Sequence, residues 1–313
     1  MISDIKLKLI LFTHTNLGVA CIKQLINTKN EILMVFTHPT EADENEKIWY
    51  DSVKDECVKN RLPVEERTKL TEEDVEKIQE LKPDLIFSIN WRRIIPSSIF
   101  KIPRYGSLNI HAGLLPKYGG FSPINWAIIN GEKEIGVTVH HMEEVVDGGD
   151  IISQNKIEVD INDTAKTVFD RVLELYPEMV LEALNFVESE KEPIKQNKSE
   201  RFWVTRRFPK DGKIDWSQDR MKIYNLIRAL VDPFPNAFCY FNNKKIYIKK
   251  AKLLDEDFRG TPGRICAIRE EGIIVTCGTN FEENQGLLIT EIATDEKIFK
   301  PNEFFLKLWE DLE

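Results

Sequence analysis

Gly106-Ser-Leu-Asn-Ile-His-Ala-Gly-Leu-Leu-Pro-Lys-Tyr-Gly-Gly-Phe-Ser-Pro-Ile-Asn-Trp126 begins as a strand and breaks into a loop rich in glycine and proline. Side chains alternate along a strand, so within 106–111 Asn109 and His111 share one face at the carboxyl end. Open α/β sheets place their ligands at that end. An amide donor beside an imidazole is a usable pair for acyl transfer. Thirty-six residues past His111, Val145-Val-Asp-Gly-Gly-Asp150 puts Asp147 in a glycine-rich turn after another strand-like run. A carboxylate there can orient the imidazole and help take a proton from an attacking amine. Spacing alone leaves a second reading open, in which Asn109 and His111 are ordinary strand-end polar groups and Asp147 only makes a turn.

On either side of this stretch, β-rich runs at 7–12, 31–36, 84–88, 106–110, 135–141 and 150–158 alternate with helical patterns near 17–27, 47–59 and 71–80. That alternation predicts an α/β domain, a Rossmann-like, mostly parallel sheet with crossover helices, over 1–188. A longer helix starts after Asn162-Asp-Thr, with Val168, Val172, Leu175, Val180 and Leu184 near helical spacing. Residues 189–207 are polar and without period and read as a linker crossing the surface. Over 208–313 the pattern predicts one helix, 217–230, and short strands at 237–241, 244–252, 261–269, 272–277 and 286–292. This is a smaller β-rich, OB-like barrel domain.

Composition removes several function classes. The 313 residues have a mean hydropathy of -0.33 and no apolar run near the twenty or so residues of a membrane span. The first residues show no basic region followed by a long apolar one, so a cytoplasmic protein is expected. Five scattered cysteines, none in a C-x-x-C pair, argue against a disulfide framework or a zinc site. The first strand–helix turn, Phe12-Thr-His-Thr-Asn-Leu-Gly18, has a single glycine, which disfavours a dinucleotide cofactor. Net charge is -9, yet residues 201–252 carry 13 basic against 4 acidic side chains. An acidic body is unsuited to a long polynucleotide, while a local basic stripe suits a small anion.

Taken together, Asn109-Ile-His111, Leu114-Leu-Pro116, Gly119-Gly120 and Asp147-Gly-Gly resemble the catalytic signature of the folate-dependent formyltransferase family. The combination is far more specific than any one piece. The resemblance covers nearly the whole chain. It is closest to formyltransferases acting on nucleotide-linked aminosugars, such as the formyltransferase domain of the enzyme that formylates UDP-4-amino-4-deoxy-arabinose. Matching stretches include Phe36-Thr-His38, Pro83-Asp-Leu-Ile-Phe-Ser88, Pro123-Ile-Asn-Trp126, Gly136-Val-Thr-Val-His140 and Asp232-Pro-Phe-Pro-Asn-Ala-Phe238. Two departures stand out: Ala112 where many relatives have Ser or Pro, and Gly119-Gly-Phe-Ser in place of an Arg-Gly loop.

The resemblance implies N10-formyltetrahydrofolate as donor, no metal, and Asn109, His111 and Asp147 as catalytic residues. Asn109 and His111 would stabilise the oxyanion and Asp147 would hold the imidazole. It points to Ile89, Trp91, Arg92 and Ile94 as the folate pocket, although Trp91 reads equally as core. Arg206 and Arg207 are candidates for a diphosphate, since guanidinium forks match phosphate oxygens, the alternative being solvated linker arginines. Lys117 and His14 border the expected mouth. His140-His141, adjacent in a strand, reads as structural. The partner implied is a nucleotide-linked aminosugar for surface polysaccharide or lipid A, with no nucleic acid polymer and no membrane, in a homodimer. The alternatives are methionyl-tRNA formyltransferase and formyltetrahydrofolate hydrolase. The first would need a broadly basic second domain, yet residues 201–313 carry 19 positive against 18 negative side chains and 39–50 is acidic.

Overall fold

The computed structural model describes residues 6–40, 49–189 and 191–313. Its first sheet has seven strands in the order β3-β2-β1-β4-β5-β7-β8. These are β1 (Lys8–Thr13), β2 (Glu31–Thr37), β3 (Val64–Glu66), β4 (Leu85–Ile89), β5 (Ser107–His111), β7 (Glu134–His141) and β8 (Ile151–Glu158); β6 (Gly119–Gly120) lies outside it. The first five run parallel; β7 is antiparallel to β5, and β8 is antiparallel to β7. Strands β1 and β4, covered on both faces, are nearly continuous apolar runs, whereas β8 at the edge alternates half-buried and exposed residues after Ile151 and Ile152.

Helices α1 (Thr15–Leu25), α2 (Val53–Lys59), α3 (Glu72–Leu81), α4 (Ser97–Phe100), α5 (Pro123–Ile129) and α6 (Ala165–Val187) cover this sheet. The lone glycine of the first turn serves packing: a Cβ on Gly18 would lie 2.1 Å from Thr13 Oγ1. Thr164 caps α6 by accepting from Thr167 N. Buried Tyr176 on that helix donates its hydroxyl to the Ile110 carbonyl at 3.1 Å, fixing the backbone just before His111.

Two expectations change here. The helix expected at 47–59 starts at Val53, with Ser52 as its cap; residues 47–48 lie outside the described residues. Residues 189–207 do more than cross the surface, because β9 (Trp203–Val204) pairs with β6 to form a two-stranded parallel sheet. Helix α5 escaped the sequence pattern because its seven residues are nearly all apolar and carry no amphipathic period.

The second body has β10 (Ala237–Phe241), β11 (Lys244–Leu253), β12 (Ile265–Arg269), β13 (Gly272–Thr276) and β14 (Gly286–Ala293) in the order β10-β11-β14-β13-β12, with β15 (Ile298–Phe299) beside β14. Residues 261–263, expected in a strand, form a turn ahead of β12, and Arg264 makes an isolated antiparallel bridge with Asp311. The last residues close the sheet. Trp309 N and Leu312 N donate to Ile265 O and Gly263 O, while Tyr240 and Glu313 exchange backbone bonds at 2.6 and 2.8 Å. Helix α7 (Arg220–Ala229) packs over this barrel and docks on the first domain, where Asn125 Nδ2 donates to Ala229 O at 2.7 Å and Arg228 to the Asp160 and Asp163 carbonyls. The short α8 (Pro301–Phe304) follows β15. Among the described residues no helix is long and apolar enough to cross a membrane.

Candidate active site

Strand β5 delivers Asn109 and His111 to one face at its carboxyl end, and Asp147 meets them from the turn after β7. His111 Nδ1 lies 3.7 Å from Asp147 Oδ2, and Asn109 Nδ2 donates to Asp147 Oδ1 at 3.2 Å. Gly120 N donates to Asp147 Oδ2 at 2.7 Å. Burial alone would raise the Asp147 carboxyl. His111, His140 and the Gly120 N–H outweigh it and hold the group well below the usual carboxylate range. Asp147 is therefore an anion across the neutral range, inside a site where charge is poorly screened.

His140, read from the sequence as structural, is part of this cluster. It sits opposite Asn109 across the antiparallel β5–β7 pair. Its Nδ1 bonds His141 O at 2.8 Å, so that nitrogen carries a hydrogen, and Nε2 lies 3.1 Å from Asn109 Nδ2 and 3.4 Å from Asp147 Oδ1. Its role depends on the β5–β7 register, which the sequence does not display. His111 Nε2 bonds the Tyr118 carbonyl at 2.8 Å. A carbonyl only accepts, so Nε2 carries the hydrogen and Nδ1 faces Asp147. The Nε2 hydrogen is committed to Tyr118, so any hydrogen His111 gives to an oxyanion has to come from Nδ1. The amide of Asn109 has the hydrogens for that task.

Gly120 is as close to the strap as backbone allows. Its φ is +94°, and a Cβ there would lie 2.4 Å from Val204 O. A side chain at Gly119 would meet the Trp203 ring at 3.0 Å. The Gly-Gly departure from the Arg-Gly loop therefore accompanies the docking of Trp203–Val204, and that docking holds the N–H that reaches Asp147.

A second group gathers at the ends of β1, β2 and β4. Trp91 stacks on His38 with centroids 3.8 Å apart and meets Phe12 edge-on at 5.3 Å. His38 donates from Nδ1 to Arg67 O at 2.8 Å and accepts from Arg92 N at 3.2 Å. His14 meets Tyr50 and His38 edge-on, with Nε2 3.1 Å from the Tyr50 hydroxyl. Burial, then Arg92 and His38, lower His14 to about 3. It is neutral and buried, so where the sequence put it at the border of the mouth, the structure packs it against Tyr50 and His38. The Arg92 guanidinium lies 5.7 Å from the Tyr50 ring centre, and Ile94 is 70% exposed. Ile89 does not line an open pocket: its side chain is wholly buried and its carbonyl accepts from His14 N at 3.2 Å.

The phosphate candidates lie just beyond β9. Arg207 is half-buried, sits 4.8 Å from the Trp126 ring centre and donates to Asp211 O at 2.7 Å; burial lowers its pKa. Arg206 is exposed beside Phe208, and Lys117 is exposed on the loop before β6.

Two family models match the chain: formyl transferase over residues 7–184 and formyl transferase C-terminal domain over 207–308. The bifunctional polymyxin resistance protein ArnA of Wigglesworthia glossinidia brevipalpis is 38% identical over 280 residues, 87% of this chain and 41% of that protein. The chain thus spans about two-fifths of that relative's length. Methionyl-tRNA formyltransferase of Alkaliphilus oremlandii is 34% identical over 277 residues, 88% of this chain and 89% of that protein. Among solved structures, the N-formyltransferase from Helicobacter canadensis, in complex with folinic acid and dTDP-3-aminofucose, superposes with a TM-score of 0.69 at 23% identity, covering 91% of this chain and 99% of that one. That likeness gives the same two-domain fold. On its sequence the chain belongs to the formyl transferase family.

Proposed function

We propose that the protein is a folate-dependent N-formyltransferase that moves the formyl group of N10-formyltetrahydrofolate to the amine of a nucleotide-linked amino-deoxysugar in the cytoplasm. The observation that carries the chemistry is the buried Asn109–His111–His140–Asp147 cluster. In this reaction the sugar nitrogen attacks the formyl carbon, the carbon–N10 bond breaks, and N10 of the departing tetrahydrofolate takes up a proton. Asn109 donates to the oxyanion that forms between these events. The proton lost by the amine goes to His111 Nδ1, where the resulting positive charge faces Asp147 Oδ2.

The substrate class rests on the mouth of the site. Arg207 against Trp126 and Arg206 beside Phe208 pair guanidinium groups with aromatic rings, a combination suited to a diphosphate carrying a base. The similarity to ArnA and to a structure holding a dTDP-aminosugar supports this reading. Methionyl-tRNA is the second acceptor to test, on the strength of a relative matched over most of its length. The deciding experiment incubates the full chain and N10-formyltetrahydrofolate with UDP-, dTDP- and GDP-linked sugars bearing the amine at C3 or C4, and separately with methionyl-tRNA. Mass spectrometry then reads the formylated product. We expect one nucleotide-sugar to be formylated; preferential formylation of the tRNA overturns the sugar assignment, and formate release without any acceptor makes the protein a hydrolase.

A further inference from the structure

Residues 191–207 run back across the active-site end of the first sheet, and three of their side chains grip a single turn. Val146, Asp147, Gly148 and Gly149 present four consecutive carbonyl oxygens. Trp203 Nε1 donates to that of Val146 at 2.9 Å, and Arg201 Nη2 to that of Gly148 at 2.9 Å. Gln196 Nε2 donates to those of Asp147 and Gly149 at 2.9 and 2.6 Å. Arg201 Nη2 also lies 3.4 Å from Gln196 Oε1, which orients the amide with both of its hydrogens toward the turn. Gln196 is 8% exposed, so these bonds face little competition from water.

The turn has reason to need this hold. Asp147 has a φ of +52°, a left-handed conformation that is strained for a non-glycine residue and persists where surrounding structure over-determines it. The same segment pairs through Trp203 and Val204 with Gly119 and Gly120, and Gly120 N is the donor on Asp147 Oδ2. One strap therefore fixes the carboxylate from behind and the amide that meets it from in front.

We propose that Gln196, Arg201 and Trp203 are positioning residues that hold Asp147 in register with His111 and His140. The proposal rests on the reading of Asp147 as the partner of the proton-accepting imidazole. None of the three donates to Asn109, His111 or His140; each acts on the backbone that carries Asp147.

The chain has five histidines, so imidazole NMR signals of the labelled full-length protein read the cluster with no substrate present. Gln196→Ala is expected to move the His111 and His140 signals part of the way toward their positions in Asp147→Asn, leaving those of His14 and His38 in place. With N10-formyltetrahydrofolate and the nucleotide-aminosugar that the panel identifies, Gln196→Ala lowers kcat about tenfold with both KM values within about twofold. In an Asp147→Asn background the same substitution costs less than about twofold, because its effect runs through a carboxylate already removed. Trp203→Phe deletes one N–H from a half-exposed ring and is expected to act in the same direction by about two- to fivefold; if Gln196→Ala does not fold, this variant decides by the same criteria. Unmoved His111 and His140 signals in a folded variant, or equal kcat losses in both backgrounds, overturn the proposal. Should no acceptor be formylated, the proposed function fails while the imidazole signals still decide the positioning role.

Discussion

The two ends of the site are built from opposite materials. Around Asp147 every contact is a hydrogen bond or a charge. The carboxylate faces two imidazoles, an amide and a backbone N–H, and the turn carrying it is held by four side-chain donations. At the ends of β1, β2 and β4 the contacts are ring on ring, with Trp91 on His38, His14 against Tyr50, and imidazoles that burial keeps neutral. A preorganised charged cluster suits atoms that gain and lose protons. A neutral aromatic wall suits a flat ring such as a pteridine, which needs area and orientation but no proton transfer. On the proposed function, reaction belongs to one end and donor binding to the other, and each prediction below attacks one end while leaving the other intact.

The largest effect is expected at the charged end. Asn109→Ala, His111→Ala and Asp147→Ala should each lower kcat by roughly two or more orders of magnitude, the scale of losing one oxyanion donor or general base. Thermal unfolding should change little for Asn109→Ala and His111→Ala, because no large apolar group is removed, and should drop for Asp147→Ala, which strands the Gly120 N–H. Near-normal turnover in any one folded variant excludes that residue from the chemistry. Next comes the anion contact: Arg206→Ala with Arg207→Ala should raise KM for the nucleotide-aminosugar roughly ten- to hundredfold, the equivalent of about 1.5–3 kcal/mol for a charge-assisted bond. KM for the folate should hold. A double variant with unchanged sugar kinetics assigns the phosphates to other residues.

At the aromatic end, Trp91→Ala should raise KM for N10-formyltetrahydrofolate by about three- to tenfold while kcat stays within twofold, the yield of one ring-on-ring contact. Trp91→Phe should recover most of the loss. If Trp91 is a core residue only, the alanine variant will instead lower the melting temperature and leave the folate KM where it was.

Much of this architecture was readable from the chain, and the unread part has a common cause. Alternation of apolar runs with helical period gave the parallel sheet, because the central strands are buried on both faces and must be apolar nearly throughout. Asn109, His111 and Asp147 stood out through their spacing and the motif around them. His140 was missed because its role depends on which residue lies opposite it on β5, a register that no local pattern prints. Gln196, Arg201 and Trp203 were missed for the same reason: their partners are backbone carbonyls some fifty residues earlier, at a |i−j| of 47 to 57. Residues 189–207 looked like a linker since a strap that binds through side-chain donors needs neither period nor apolar face. The resemblance put Ile89 in the folate pocket, and His14 was placed at the border of the mouth. Burial, which the sequence hides, shows one in the core and the other neutral.

The smallest effect concerns His14 and the stability of the aromatic end. A histidine whose native pKa is depressed binds fewer protons folded than unfolded. Its contribution is therefore complete above the unfolded value of 6.5 and drains away as pH falls toward the native value of about 3. Between pH 7 and pH 5 that is a loss of about 2 kcal/mol, or several degrees in melting temperature. Asp147 does not contribute in this window: its carboxyl lies below the usual range, and stability held by a depressed carboxyl is lost only as pH falls below the unfolded carboxylate value. His38, also lowered by burial, acts in the same direction as His14, and Arg92 is the fixed charge facing both. Replacing His14 by Gln keeps an N–H near the Tyr50 hydroxyl and removes one titrating ring. The variant's melting temperature should then fall less steeply than the parent's from pH 7 to pH 5, with the remaining slope due to His38 and His141, both lowered by burial. Parallel slopes would mean that the His14 ring takes up its proton without opening the cluster, and the aromatic end would have to be redrawn as one that tolerates charge.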